Sequence, residues 1–71
     1  MTEGEAKLIR MALEIRQFFR HQGDAAAAAA TANHLRQFWA PSMRDEFLAV
    51  VAKEGDAVDP EARAIAAALA A

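Results

Sequence analysis

The sequence predicts an all-α protein, a small bundle of three main helices plus a short C-terminal helix. It reads as a single domain over residues 1–71, with frayed ends at 1–5 and 70–71. Three observations carry this. Apolar residues recur at helical spacing in each long segment. Those segments are separated by helix stops and starts at Gly23, Pro41, Gly55 and Pro60. Nowhere does the chain alternate apolar and polar residues as a strand would. A chain this short builds a small core and often relies on a partner.

The first helix is expected over about residues 5–20. Thr2 followed by Glu5 has the spacing of a capping box. Leu8, Met11, Ala12, Ile15, Phe18 and Phe19 form a wide apolar stripe. Arg10 and Glu14 are one turn apart and can pair. Arg16 and Arg20 bring like charges to the C-terminal end, where the helix dipole favours cations. Ile9 and Leu13 fall off the stripe, free to pack on a second neighbour or on a partner. Gly23 then suits a left-handed cap, and Asp24 suits the N-cap of a second helix over about residues 25–39. That helix opens with the run Ala25–Ala30. Alanine is the best helix former but supplies little area, so it either fills a tolerant helix or lets another backbone approach closely. The large apolar groups, Leu35, Phe38 and Trp39, come in the last turns and are expected to carry most of this helix's packing.

Pro41 interrupts that helix. It disfavours helical geometry at Ala40 and suits the first turn of a third helix, from Pro41 or Ser42 to about Lys53. Met43, Phe47, Val50 and Val51 make its inner stripe, with Leu48 beside it. Asp45 and Glu46 are expected in its first turn, the end of the dipole that favours acids. After a turn around Gly55, Asp59-Pro60 starts a fourth helix to about Leu69. Ile65 and Leu69 are its only large residues, so weak docking is expected. The corner from Asn33 to Arg44 holds the only Trp and leaves two readings open. Phe38 and Trp39 either plug a small core or also form a docking surface.

Composition excludes several classes. Without Cys there is no disulfide and no thiolate metal site. His21 and His34 stand on different elements with no acid beside His34, so no metal site, cofactor site or catalytic set is visible. Net charge is −2 and the basic residues are dispersed, which argues against nucleic acid. The corner is no DNA-reading helix-turn-helix, because Asp45 and Glu46 would repel phosphates. The longest apolar run falls far short of the roughly 20 residues of a membrane span. The acidic start, Thr2-Glu3-Gly4-Glu5, lacks the apolar core of a signal peptide. A soluble, cytoplasmic protein is the expectation.

Two motifs resemble a known family. Lys7-Leu8-Ile9-Arg10-Met11-Ala12, followed by Ile15 and Phe18-Phe19, resembles the opening motif of the delta subunit of NAD-dependent, molybdenum-containing formate dehydrogenases. His34-Leu35-Arg36-Gln37-Phe38-Trp39-Ala40-Pro41-Ser42-Met43-Arg44 resembles that family's second motif, and Val58-Asp59-Pro60 is similar too. The chain departs from the family at Leu13-Glu14, Asn33 and Ser42. The resemblance spans about residues 7–69.

The resemblance implies a small accessory subunit, not an enzyme by itself. It implies that this chain binds no cofactor, and that the molybdenum cofactor, iron–sulfur clusters and flavin belong to partner subunits. The expected partner is the large, molybdenum-containing alpha subunit, and the expected role is assembly, stability or cofactor insertion. Expected partner-binding residues are Arg10, His34, Phe38, Trp39, Pro41, Met43 and Arg44. A reading of a different class is a free-standing module that forms homodimers through its alanine-rich second helix, Ile9 and Leu13.

Overall fold

The computed structural model describes residues 1–71. Four helices, α1 (Glu3–Arg16), α2 (Asp24–Phe38), α3 (Pro41–Glu54) and α4 (Pro60–Ala70), surround one core, with 3-10 segments at Gln17–Gln22 and Gly55–Ala57 and no strand. The all-α bundle is therefore as expected, and several of its details are not.

The capping box of α1 forms. The Thr2 hydroxyl accepts from the Glu5 amide at 3.1 Å, and the Glu5 carboxylate accepts from the Thr2 amide at 2.7 Å. These bonds start the helix at Glu3, earlier than residue 5. The far end corrects the sequence reading more strongly. The α-helix stops at Arg16, and residues 17–22 tighten into a 3-10 segment. Each residue now advances about 120° instead of about 100°, so the apolar stripe turns away from the core. Phe18 is 75% exposed and Phe19 only half-buried, although both were expected on the inner stripe. Ile9, expected off the stripe, is buried in the core.

Gly23 adopts φ +94°, a backbone region open chiefly to glycine, and serves as the N-cap of α2. Asp24 is the first helical residue and not the cap, because its carboxylate accepts from Arg16 Nη2 at 3.0 Å. Ala27, Ala28, Thr31, Ala32 and Leu35 turn inward. The buried Thr31 hydroxyl is satisfied by donating to the Ala27 carbonyl one turn back, at 2.7 Å.

The chief partner of α2 is α4, whose Ala62, Ile65, Ala66 and Leu69 are buried. This overturns the expectation that α4 docks weakly; of the large residues expected to pack the end of α2, Leu35 and Trp39 are buried and Phe38 is not. Alanine on both helices permits close approach over their whole length, while Leu35 and Ile65, fully buried, contribute about 1.5–3 kcal/mol each. The alanines of the run split: Ala28 joins the core cluster with α4, Ala27 is buried outside that cluster, and Ala25, Ala26 and Ala29 face solvent. With Ile9 also inside, much of the surface assigned to a homodimer is used within the chain.

Polar contacts fix the direction of the seam. Arg16, 7% exposed, donates to Asp24 at the start of α2 at 3.0 Å and forms an ion pair with Glu61 at the start of α4 at 2.7 Å. Arg36, in the last turn of α2, donates through Nη2 to the Ala68 and Leu69 carbonyls at 2.7 and 3.2 Å. The two helices therefore run parallel. Parallel packing sets like dipole ends side by side, which acids at the paired N-termini and a guanidinium at the paired C-termini offset. Arg16 lies in the last turn of α1, as expected, but reaches on to these two acids. Arg20 instead donates to the Gln17 carbonyl at 2.6 Å.

In α3, Phe47 and Val50 are buried and Met43, Leu48 and Val51 half-buried, as the stripe predicts. Asp45 and Glu46 fall outside its first turn, because the helix already begins at Pro41, and no acid stands there. At the other end Lys53 Nζ lies 2.6 Å from Glu5 Oε2, joining α3 to the start of α1. Lys53 and the Thr2 amide hold the Glu5 carboxyl down at about 2, and Glu5 raises the Lys53 ammonium.

Two outcomes test this packing. Ala32→Leu puts extra volume into the fully buried seam and should destabilise the protein by about 1–3 kcal/mol, whereas Ala29→Leu on the exposed side should stay within about 0.5 kcal/mol in urea unfolding. The charge of Glu5 is tested by comparing thermal midpoints with Glu5→Gln across pH. A depressed carboxyl stabilises fully above its unfolded value near 4.5 and loses that contribution as pH falls toward 2, while the raised Lys53 loses its own above 10.5. The advantage of the native chain should therefore be constant at neutral pH and shrink at both extremes. A difference that does not change with pH would show that the pair's charge contributes nothing.

Candidate functional site

The corner between α2 and α3 places most of the residues that the sequence singles out. Its geometry follows from one proline. Ala40 is held extended at φ −61°, ψ 147°, and Pro41 occupies the first turn of α3. The Ala40 carbonyl then accepts from the Met43 and Arg44 amides at 3.0 and 3.2 Å. Trp39 has already left the helix, at φ −89°, ψ 143°. This separates two neighbouring aromatics that spacing alone puts on one face.

Trp39 turns inward. It is 8% exposed and meets Phe47 edge to face, with ring centroids 6.0 Å apart at 89°. Phe38 stays on the flank of α2 and is 70% exposed. Its ring rests on His34, one turn earlier, at 4.6 Å and 38°. Of the two open readings, the core holds for Trp39, and Phe38 remains available at the surface. Met43 packs half-buried against the core, and Pro41 is exposed.

Arg44 stands apart from the other arginines. Arg10, Arg16, Arg20, Arg36 and Arg63 each face a carboxylate or donate to a backbone carbonyl. Arg44 is half-buried, its Nε is enclosed without a partner, and its guanidinium makes no hydrogen bond or ion pair.

Arg10 is not brought to this corner. It is exposed, 4.0 Å from Glu14, beside a shallow groove of about 350 Å³. Met1, Ala6, Ile9, Leu13 and the Ala57–Asp59 turn line the rest of that groove, and none of the corner residues does. The first-helix motif and the corner are thus two separate features. Sequence reasoning missed Arg36 as the closure of α4 and Arg16 as a buried bridge. Their partners lie far along the chain, and no local spacing signals them.

The corner makes a clear stability contrast. Trp39→Ala should cost about 3–5 kcal/mol, and Phe38→Ala no more than about 0.5 kcal/mol, in equilibrium unfolding. Equal losses would contradict the different burial of the two rings.

Comparison with curated proteins and with solved structures finds no match. The family model described as the NADH-dependent formate dehydrogenase delta subunit, FdsD, matches residues 7–67, which includes the opening motif, the whole corner and most of α4. The chain belongs to that family.

Proposed function

We propose that this chain is an accessory subunit that binds the large, molybdenum-containing subunit of an NAD-dependent formate dehydrogenase and supports its assembly, stability or cofactor insertion. The observation that carries the reading is the family match across nearly the whole chain, corner included. The chain does no redox chemistry in this proposal. Iron–sulfur clusters are held chiefly by Cys thiolates, and the chain has no Cys. The molybdenum cofactor, the clusters and the flavin belong to the partner subunits.

The partner-facing residues divide by what the fold leaves available. Phe38, Pro41 and the His34 ring offer apolar and aromatic area, and Arg44 offers a cation. Trp39 and Met43 shape the corner from within. Arg10, on its own groove, serves as a second contact. No helix is long and apolar enough to cross a membrane, in keeping with a subunit of a soluble complex.

The test is a tagged pull-down from the native host, with partners identified by mass. Recovery of the large formate dehydrogenase subunit is expected. Recovery of the chain alone, as a dimer, would overturn the proposal in favour of self-association.

A further inference from the structure

The geometry points to a two-point contact at the corner: Phe38 enters an apolar socket on the large subunit, and Arg44 pairs with an Asp or Glu carboxylate at the rim of that socket. This rests on the reading of the chain as a partner of the large subunit, and it names the chemistry of the surface that receives it.

Charge selects an acidic surface. From Ala25 to Arg44 the chain has no Asp or Glu, while His34, Arg36 and Arg44 fall within that stretch. Arg44 ends that stretch, with Asp45 and Glu46 directly after it, in a chain whose net charge is −2. Arg36 is already committed to the carbonyls of Ala68 and Leu69. Arg44 has no acceptor at all, and part of its guanidinium is enclosed. A partly desolvated cation without a partner is costly to keep, and a carboxylate bound in the fork of the guanidinium satisfies it. The first turn of α3 adds to the same preference, since it lacks a side-chain cap and an acid. Asp45 and Glu46 follow in sequence, but they are exposed and turned from Arg44 by about 100° and 200° around the helix.

Apolar area selects the socket. Phe38 is the most exposed large apolar side chain of the corner, and its ring lies against His34. Exposed Phe and Arg are both among the residue types enriched in protein interfaces. A second copy of this chain fits less well. Across a two-fold axis the acid-free stretch would meet itself and offer Arg44 no carboxylate.

The experiment titrates the purified large subunit onto the immobilised chain, comparing native protein, Phe38→Ala, Arg44→Gln and Arg44→Lys, with thermal unfolding of each as the folding control. Phe38→Ala and Arg44→Gln should each weaken binding about tenfold or more at an unchanged unfolding midpoint. Arg44→Lys should fall between, because it keeps the charge and loses the fork. Binding of the native chain should weaken from about 0.1 M to about 1 M salt, and Arg44→Gln should show a flatter dependence. If the native chain binds and both Phe38→Ala and Arg44→Gln bind equally well, the two-point contact is wrong and the accessory-subunit reading stands. If the native chain itself fails to bind, both fall. A concentration-dependent mass abolished by Phe38→Ala would assign the corner to a second copy and overturn the inference.

Discussion

Two helices made largely of alanine can hold together only by coming close, and the whole fold is arranged around that constraint. Neither α2 nor α4 carries enough large side chains to dock at ordinary distance. Ala28 and Ala32 on one, and Ala62 and Ala66 on the other, instead shrink the gap. The gain is then in contact between backbones, and it needs correct alignment along the full seam. Arg16 at one end and Arg36 at the other fix that alignment. Asp24 and Glu61 at the paired N-termini, and Arg36 at the paired C-termini, relieve the unfavourable approach of like dipole ends that parallel helices bring. The larger residues of α1 and α3, with Trp39 and Phe47 at their centre, fill the remaining space.

The corner is a by-product of this arrangement before it is anything else. α3 must return the chain so that α4 can run parallel to α2, and Pro41 makes the reversal abrupt. An abrupt exit leaves the last turn of α2 uncovered on one flank. Trp39, just past the helix, is swept into the core, and Phe38, just inside it, is left out. A single step in the backbone thus decides which of two adjacent aromatics stabilises the fold and which is free to meet a partner.

Local chemistry made much of this legible in the sequence. The capping box at Thr2 and Glu5, the glycine at 23, the proline at 41 and the Asp59-Pro60 start all act through neighbours within four residues, and each appears where the pattern placed it. The misreadings share a different cause. Periodicity assumes one helical pitch, so it carried α1 through Phe18 and Phe19 where the chain tightens into a 3-10 segment. Counting large residues undervalued α4, because a close seam works through small ones. Arg16 and Arg36 took roles set by groups in α4, which nothing local announces. For the corner, spacing named the residues but could not divide Phe38 from Trp39, since the division depends on where the helix lets go.

The 3-10 segment at Gln17–Gln22 has a consequence for how the molecule breathes. It contributes no buried residue, its hydrogen bonds are of the less favourable kind, and Gly23 follows it with a backbone only loosely restricted. It lies against α2 but supplies no residue to the core cluster that the seam belongs to. This stretch is therefore where amide protons should exchange first and where a protease should find its earliest cut, while the seam keeps the remaining helices in register. The exposed Phe18 sits in the middle of it, so the family's opening motif ends in the part of the chain with the most freedom to rearrange against another surface.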